Sequence, residues 1–252
     1  MNRLAPLILA AVLLAVWEAA CRILAVPPYL LPMPSAIGAA LVDRWPLLLV
    51  SAGHTLFMAL GGLAVAALVA GPLAVPAASS RWAGEALRPF AVTVQVTPVV
   101  AIAPLVVIWA GLDHSGRAVM ALAAVVAFFP LFSGALTGLT SADPDLERLF
   151  DLYGARPLDR LLRLRLPSSA PFVLEGLSVG AGQAVIGAVV AEFVAGSGQS
   201  QGLAWRILEA GNRLRTAEMF AALFVLAALG LIVHGLIAYL RSLSRKGFDA
   251  PR

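Results

Sequence analysis

The sequence predicts an all-α membrane protein with six transmembrane helices. Of its 252 residues, 60% are hydrophobic and 13% are charged, whereas about 25% of the residues in a typical soluble domain are charged. The mean hydropathy is +0.90, and several uncharged runs exceed the roughly 20 residues that a membrane-crossing helix needs. A compact charged segment, residues 141–170, separates two of these runs. We treat residues 1–252 as one transmembrane domain.

Composition also indicates the surroundings of the chain. The net charge of +4 is carried by loops between apolar runs, as is common in membrane proteins, so we expect a lipid bilayer and no nucleic acid as partner. The single cysteine, Cys21, excludes an intramolecular disulfide. The only lysine, Lys246, is not preceded by glycine, so the chain has no phosphate-binding loop. We therefore predict no cofactor.

Apolar runs place the six spans at residues 4–25, 51–78, 89–112, 118–140, 171–196 and 218–241. In the first span, Glu18 and Arg22 can form an i,i+4 pair near the outer interface. The proline-rich residues 27–34 end that helix. Ser35 then caps a short amphipathic segment that extends to Trp45, at the outer membrane surface.

Prolines mark the third span. Residues 81–88 form a short polar connection before it, and the uncharged run that follows contains Pro98 and Pro104. Since proline disrupts helical hydrogen bonding, we expect the span to bend or unwind at these residues. Broken helices at membrane depth usually line a cavity walled by protein. Pro98 and Pro104 are therefore candidates for lining a pathway through the membrane.

The fifth span carries a stripe of small residues and an acidic residue. The stripe recurs every four positions and lets another helix approach closely; it comprises Gly176, Gly180, Ala184 and Ala188. Glu192 lies near the outer end of this span, where a carboxylate is a functional candidate. Two roles remain open for Glu192, namely lining the outer mouth of a pathway and pairing with Arg206.

The charged segment predicts two short helices joined by a glycine turn. Asp143 is a favourable N-cap, Pro144 suits the first helical position, and Gly154 occupies the site of a left-handed stop. The apolar residues between them form one helical stripe, which comprises Leu146, Leu149, Phe150 and Tyr153. Pro157 can begin a second short helix, which we expect to end at the prolines within residues 167–171.

The charged segment also resembles a known family. Gly154 is followed after nine residues by Leu164-x-Leu166-Pro167, which resembles the loop of permease subunits in bacterial ATP-binding cassette (ABC) importers. The family pattern is Glu-Ala-Ala-x-x-x-Gly, nine residues, then Ile-x-Leu-Pro. We call residues 141–170 the coupling loop.

The match has one departure and three further points of agreement. The Glu-Ala-Ala positions hold Arg148, Leu149 and Phe150, and Glu147 lies one residue early. Residues 31–35 (LPMPS) and 95–112 also resemble the family, as does the pair Ala191-Glu192. The resemblance covers nearly the whole chain.

The resemblance implies the membrane-spanning subunit of an importer of the nitrate, sulfonate, taurine and thiamine-precursor type. Its coupling loop would insert into a groove on a cytoplasmic ATPase subunit. The residues implied in that contact are Asp145, Leu146, Glu147, Leu149, Phe150, Tyr153, Gly154, Leu164, Leu166 and Pro167. Two permease chains, expected to be identical copies, would dock two ATPase subunits inside and a periplasmic or extracellular substrate-binding protein outside.

A cytoplasmic coupling loop sets the orientation of the whole chain. With six spans, both termini then lie in the cytoplasm, and the protein belongs in the bacterial inner membrane. Twelve of the 18 Lys and Arg residues would face the cytoplasm and five the outside. This asymmetry agrees with the positive-inside rule.

The alternative is a stand-alone membrane carrier, or an intramembrane enzyme that uses Glu192 and histidines. His54, His114 and His234 are isolated in the sequence and lack the spacing of metal ligands. We therefore predict neither a metal site nor a catalytic residue. The substrate stays open among sulfonates, taurine, pyrimidine or thiamine precursors, and riboflavin-like molecules.

Overall fold

The computed structural model describes residues 5–111, 115–195 and 201–248, without the side chains of Leu7 and of residues 240–248. All the regular elements in these ranges are helical, which confirms the predicted all-α class. The α-helices are α1 (Ala5–Ile23), α2 (Pro34–Asp43), α3 (Trp45–Ser79), α4 (Arg81–Val96), α5 (Val99–Ala110), α6 (Ser115–Leu139), α7 (Pro144–Leu152), α8 (Pro157–Arg160), α9 (Leu166–Ala195), α10 (Leu203–Asn212) and α11 (Thr216–Phe248).

Several of these helices are long and apolar enough to cross a membrane. Within the described residues, four stretches meet this condition by length and composition, namely Trp45–Ser79, Ser115–Leu139, Pro157–Ala195 and Thr216–Tyr239. The bent pair α4 and α5 makes a fifth if the two helices count as one span. The chain is thus a multi-pass membrane protein. α1, with 19 residues, remains a predicted sixth span.

The third predicted span is a broken helix that begins earlier than expected. Residues 81–88, predicted as a polar connection, form the first turns of α4. Their helix is favoured by Ser80, whose hydroxyl accepts a hydrogen bond from the Ala83 N–H at 3.4 Å. α4 ends at Val96, and α5 leaves it at an angle of 95°. The predicted break at Pro98 is confirmed, whereas Pro104 lies within the continuous helix α5.

The second helix of the coupling loop does not end at the prolines, so that prediction is wrong. α8 continues through a π-helical turn, Leu161–Arg165, directly into α9. In this wider turn the Leu166 N–H donates to the Leu161 carbonyl, five residues back. This wider turn directly precedes Pro167 and makes room for its ring, and Pro171 lies inside α9. The fifth span and the coupling loop are therefore one helical rod of 39 residues, Pro157–Ala195.

Helices α6 and α9 pack closely through their glycines. A Cβ atom on Gly176 would lie 2.6 Å from the Pro130 carbonyl oxygen, and one on Gly180 would lie 3.2 Å from Leu131 Cγ. Ala184 is 1% exposed. Ala188, one turn further along α9, is completely buried. The small-residue stripe therefore brings the two helix backbones together.

The C-terminal end of α1 is tied to α2. Glu18 pairs with Arg22 at 2.7 Å, as predicted from their spacing. Ser35 does not cap α2 with its side chain, contrary to expectation. Its hydroxyl and its N–H donate instead to the two carboxylate oxygens of Glu18, at 2.8 and 3.0 Å. Glu18 therefore anchors the start of α2.

Candidate functional site

The coupling loop begins with a well-terminated helix. The Asp143 carboxylate accepts a hydrogen bond from the Asp145 N–H at 2.8 Å, so the predicted N-cap is confirmed. At the other end, Gly154 has a φ of +62°, and the Ala155 N–H donates to the Phe150 carbonyl at 3.0 Å. This is a Schellman turn, and its left-handed residue is the predicted glycine.

Ion pairs hold α7 against the rod. Glu147 binds Arg165 at 2.7 Å and Arg160 at 3.4 Å, and all three side chains are only 21–24% exposed. Arg160 also pairs with Asp151. Glu147 thus connects α7 to α8 and to the π-helical turn at the base of α9.

The surface of the coupling loop is apolar as well as charged. Leu152 is 84% exposed and Tyr153 is 83% exposed. Leu158 and Leu162 extend this surface onto the rod. We call these four residues the apolar patch. Phe150 is half-buried and Leu164 is buried, so these two predicted contact residues support the loop from within.

A groove of about 510 Å³ lies beside the broken span, between α4, α5, α6 and α9. A neighbouring cavity of about 320 Å³ shares Phe129, Ser133 and Thr137 with it and extends to Arg88 and Thr140. On α9 the lining residues all fall on one face and comprise Phe172, Glu175, Gly176, Val179 and Gln183. We call the larger cavity the lateral groove.

Polar side chains in the lateral groove were not singled out from the sequence. Gln95 lies on α4 just before the break, and Glu175 and Gln183 lie on α9. Gln95 and Glu175 are exposed although their helices are apolar. The sequence could have indicated Glu175, because a carboxylate inside the fifth apolar run is a functional candidate. Gln95 and Gln183 have no charge to mark them.

The lateral groove does not include the predicted pathway residues, so their role in lining a pathway stays a prediction. The described lining of the lateral groove includes the neighbours of Pro98 in the chain, Gln95 and Val99, but neither Pro98 nor Pro104. Glu192 is 1% exposed and is enclosed by protein. In this structure Glu192 therefore does not line an outer mouth.

Glu192 is held by a hydrogen-bond network that joins three helices. The Thr55 hydroxyl, on α3, donates to Glu192 Oε1 at 2.9 Å, and the Ala204 N–H, in the first turn of α10, donates to Oε2 at 3.0 Å. Thr55 Oγ1 in turn accepts from the Leu203 N–H at 2.9 Å. The carboxylate thus caps α10 from a different helix, where negative charge is favoured by the helix dipole.

Arg206 is not the partner of Glu192 in this structure, so the pairing considered from the sequence is not observed. Arg206 pairs with Glu209 at 3.0 Å, within α10. It also donates to the Ser51 hydroxyl, on α3, at 3.1 Å. The one-turn spacing of Arg206 and Glu209 explains this pairing.

No cluster of three or more His, Cys, Asp or Glu side chains that could hold a metal ion occurs among the residues that the structure describes. His54 and His234 are part of that search. His114 lies outside the described residues.

The sequence was compared with known protein families, and the result is consistent with the helical membrane fold. A family model of binding-protein-dependent transport system inner membrane components matches residues 64–246. The chain belongs to this family, so it is a transport permease and not an enzyme.

Individual relatives cover nearly the full length of the chain. A probable ABC transporter permease of Haemophilus influenzae is 32% identical over 94% of this chain and 95% of its own. The formylaminopyrimidine transport permease ThiX of Halalkalibacterium halodurans is 30% identical, over 95% and 94%. The riboflavin transport system permease RibX of Chloroflexus aurantiacus is 31% identical, over 92% and 85%.

Proposed function

We propose that this permease forms the translocation pathway of an ABC importer and couples it to a separate cytoplasmic ATPase through the coupling loop. The apolar patch carries this proposal. Leucine and tyrosine side chains exposed by more than 80% on a charged, cytoplasm-facing loop gain free energy when a partner covers them. Glu147 and its arginines would pass the partner's motion to the rod.

The proposed topology has six spans with both termini in the cytoplasm of a bacterial inner membrane. The spans are α1, α3, the broken pair α4 and α5, α6, the rod and α11. In this arrangement the coupling loop and the end of α11 share the inner side. The start of α3, α10 and the start of α11 share the outer side, where a substrate-binding protein would dock.

The lateral groove supports a homodimer with the pathway between its copies. Gln95 and Glu175 are exposed on the surface of the groove, and polar side chains within transmembrane helices usually face the interior of an assembly or a water-filled cavity. A second copy that covers the groove would leave such a polar, protein-walled space. We therefore propose that the groove faces the partner copy.

The proposed cargo is a small organic solute. The relatives' names include a formylaminopyrimidine, riboflavin, aliphatic sulfonates and taurine. The amide and hydroxyl groups of Gln95, Gln183 and Ser133 offer hydrogen bonds to such a solute during passage. The binding protein would perform most of the selection.

Affinity purification of the intact permease from its own cells tests this function. We expect an ABC ATPase to co-purify in a ratio of two to two, and a secreted binding protein to stimulate ATP hydrolysis by the complex in lipid nanodiscs. A solitary permease that moves solute without an ATPase would contradict the proposal.

A further inference from the structure

The two faces of the membrane are joined by one uninterrupted helical element, the rod Pro157–Ala195. Its 39 residues span about 58 Å at 1.5 Å per residue. The inner end carries the apolar patch and the arginines that bind Glu147. Glu192 lies at the outer end, one turn before the last described residue of α9. The two ends therefore belong to one helical element, which contains the π-helical turn Leu161–Arg165 near its inner end and Pro171 within α9.

The outer end of the rod is attached to α10 through Glu192. α10 has no side-chain cap of its own, because its N-cap residue is Gly202. The Glu192 carboxylate supplies the missing cap, and Thr55 completes the network from α3. Leu203 and Ala204 at the start of α10 are completely buried. The start of α10 is consequently fixed to α9 and α3 together.

Gly202 is required by this attachment. A Cβ atom at residue 202 would overlap the Glu192 carboxylate, with all three of its nearest atoms belonging to that group. The backbone of Gly202 is extended, with φ −77° and ψ 176°, so other residues could adopt its conformation. Space for the carboxylate, and not backbone freedom, therefore explains the glycine.

The far end of α10 is open to the outside. Arg213 has a side chain that is 58% exposed, and Leu214 is 72% exposed. Arg215 is also exposed, with 48% of its side chain accessible. α10 thus has a buried end fixed to the rod and an exposed turn, residues 212–215, that a partner outside the membrane can reach; its arginines Arg213 and Arg215 pair with Glu209 and Glu218.

We propose that Glu192 is a positioning residue of the transport cycle, which fixes α10 to the rod so that a binding protein docked on residues 212–215 shifts the coupling loop. The inference rests on the proposed function as a permease with a separate ATPase. It adds the route by which the outer partner and the ATPase influence each other.

Coupling between the two partners is the measurement that isolates this role. The permease–ATPase complex is placed in nanodiscs, and the Kd of the loaded binding protein is measured with and without a non-hydrolysable ATP analogue. The ratio of the two Kd values is the coupling factor, and allosteric coupling is typically about 5- to 150-fold. We expect Glu192→Ala to bring this ratio close to one while the ATPase remains bound.

Two further variants distinguish positioning from folding. Gly202→Ala displaces the carboxylate without changing any charge, so it should lower the coupling factor as Glu192→Ala does. In the Glu192→Ala background the space is free, and Gly202→Ala should cause no further loss. Glu192→Gln keeps an acceptor for the Ala204 N–H, but its amide N–H₂ replaces the oxygen that accepts from the Thr55 hydroxyl, so its coupling factor should lie between those of the wild type and Glu192→Ala.

Asp43→Ala is the matched control. Asp43 is a carboxylate at the end of α2, its side chain is 77% exposed and it pairs with the adjacent Arg44, so its loss should leave the coupling factor unchanged. If the wild type shows coupling and the Glu192→Ala and Gly202→Ala variants have the same coupling factor, the inference about Glu192 is wrong while the proposed function stands. A wild type that binds neither ATPase nor binding protein would overturn the proposed function as well.

Discussion

The two ends of the rod are stabilised in opposite ways. At the proposed outer end, Glu192 and Thr55 are buried and their hydrogen bonds are satisfied within the chain. At the proposed inner end, Glu147 and its arginines are partly exposed, and Leu152 and Tyr153 are largely exposed. A buried, satisfied network fixes one geometry, whereas an exposed apolar patch gains stability only from a partner.

The same contrast appears in two turns with the same hydrogen bonds. After α7, Gly154 takes the left-handed position with a φ of +62°, and after α10 Leu214 takes it with a φ of +55°. The Ala155 N–H donates to the Phe150 carbonyl in the first turn, and the Arg215 N–H donates to the Ala210 carbonyl at the equivalent position of the second. Leucine in this region costs roughly 1–2 kcal/mol. The outer turn therefore stores strain that the inner turn does not.

The largest expected effect comes from disrupting the packing of the rod against α6. A Cβ at Gly176 would lie 2.6 Å from a backbone oxygen of α6, so Gly176→Leu should destabilise the permease by about 3 kcal/mol, the upper end of overpacking costs. Gly180→Leu should do so less, because its nearest neighbour is a side chain. Thermal unfolding of the purified permease measures the loss of stability, and size-exclusion chromatography measures the yield of assembled complex.

Gly182 is the control for both glycine variants. It lies on the same helix, and a Cβ atom on it would meet nothing within 4 Å outside its own stretch of α9. Gly182→Leu should therefore assemble normally. Equal yields of complex from Gly176→Leu and Gly182→Leu would contradict close packing of α6 on α9.

The second prediction removes the hydrogen-bond network around Glu192 and leaves the coupling loop unchanged. Thr55→Val keeps the shape of the side chain and leaves the Leu203 N–H and Glu192 Oε1 without their partner. Each orphaned buried group costs about 1–3 kcal/mol, so we expect the two together to cost at least about 2 kcal/mol. Thr137→Val in the lateral groove, where the side chain is exposed, should cost much less. Thermal unfolding of the purified permease compares the two.

The third prediction distinguishes contact from support at the inner end. Tyr153→Ala should weaken ATPase binding by about 2 kcal/mol, roughly 30-fold in Kd, without changing the unfolding temperature of the permease. Phe150→Ala removes a half-buried side chain and should lower that temperature as well. Titration of the ATPase onto nanodisc-embedded permease measures the affinity, and wild-type affinity in Tyr153→Ala would argue against docking at this residue.

The smallest predicted change in free energy concerns the two turns. Gly154→Val places a β-branched residue at positive φ and should cost about 1–2 kcal/mol, which uncouples transport while the protein stays in the membrane. Leu214→Gly should have the opposite sign and stabilise by up to about 1 kcal/mol. ATPase stimulation, uptake and unfolding temperature together test the pair. Normal stimulation and uptake by Gly154→Val would refute the inner half of this comparison.

Local signals explain which parts could be predicted from the sequence. Asp143, Pro144 and Gly154 determine a helix and its ends through contacts within a few residues, so the start of the coupling loop was predictable. The break at Pro98 follows equally from the chemistry of one residue. The continuity of the rod was not predictable, because the π-helical turn makes room for Pro167 in a way that residue type does not reveal.

Long-range partners explain the rest. Glu192 could be recognised as a carboxylate in a span, but its partner Thr55 lies 137 residues away in the chain. Arg206 was a plausible partner from charge alone, and the structure shows that hydroxyl and backbone groups satisfy Glu192 instead. The lateral groove likewise forms from four helices, so Gln95 and Gln183 acquire significance only once those helices are packed.

Cysteine cross-linking between the coupling loop and the ATPase tests the central proposal most directly. Tyr153→Cys places a reactive group in the apolar patch, and Trp45→Cys places one on the outer side as a control; the native Cys21 is buried. With a short maleimide–benzophenone reagent, which bonds to the introduced thiol and, on illumination, inserts into a C–H bond of an adjacent protein, we predict a covalent permease–ATPase adduct from Tyr153→Cys and none from Trp45→Cys. No adduct from Tyr153→Cys in an assembled complex, or an adduct from Trp45→Cys, would contradict docking of the ATPase on the coupling loop.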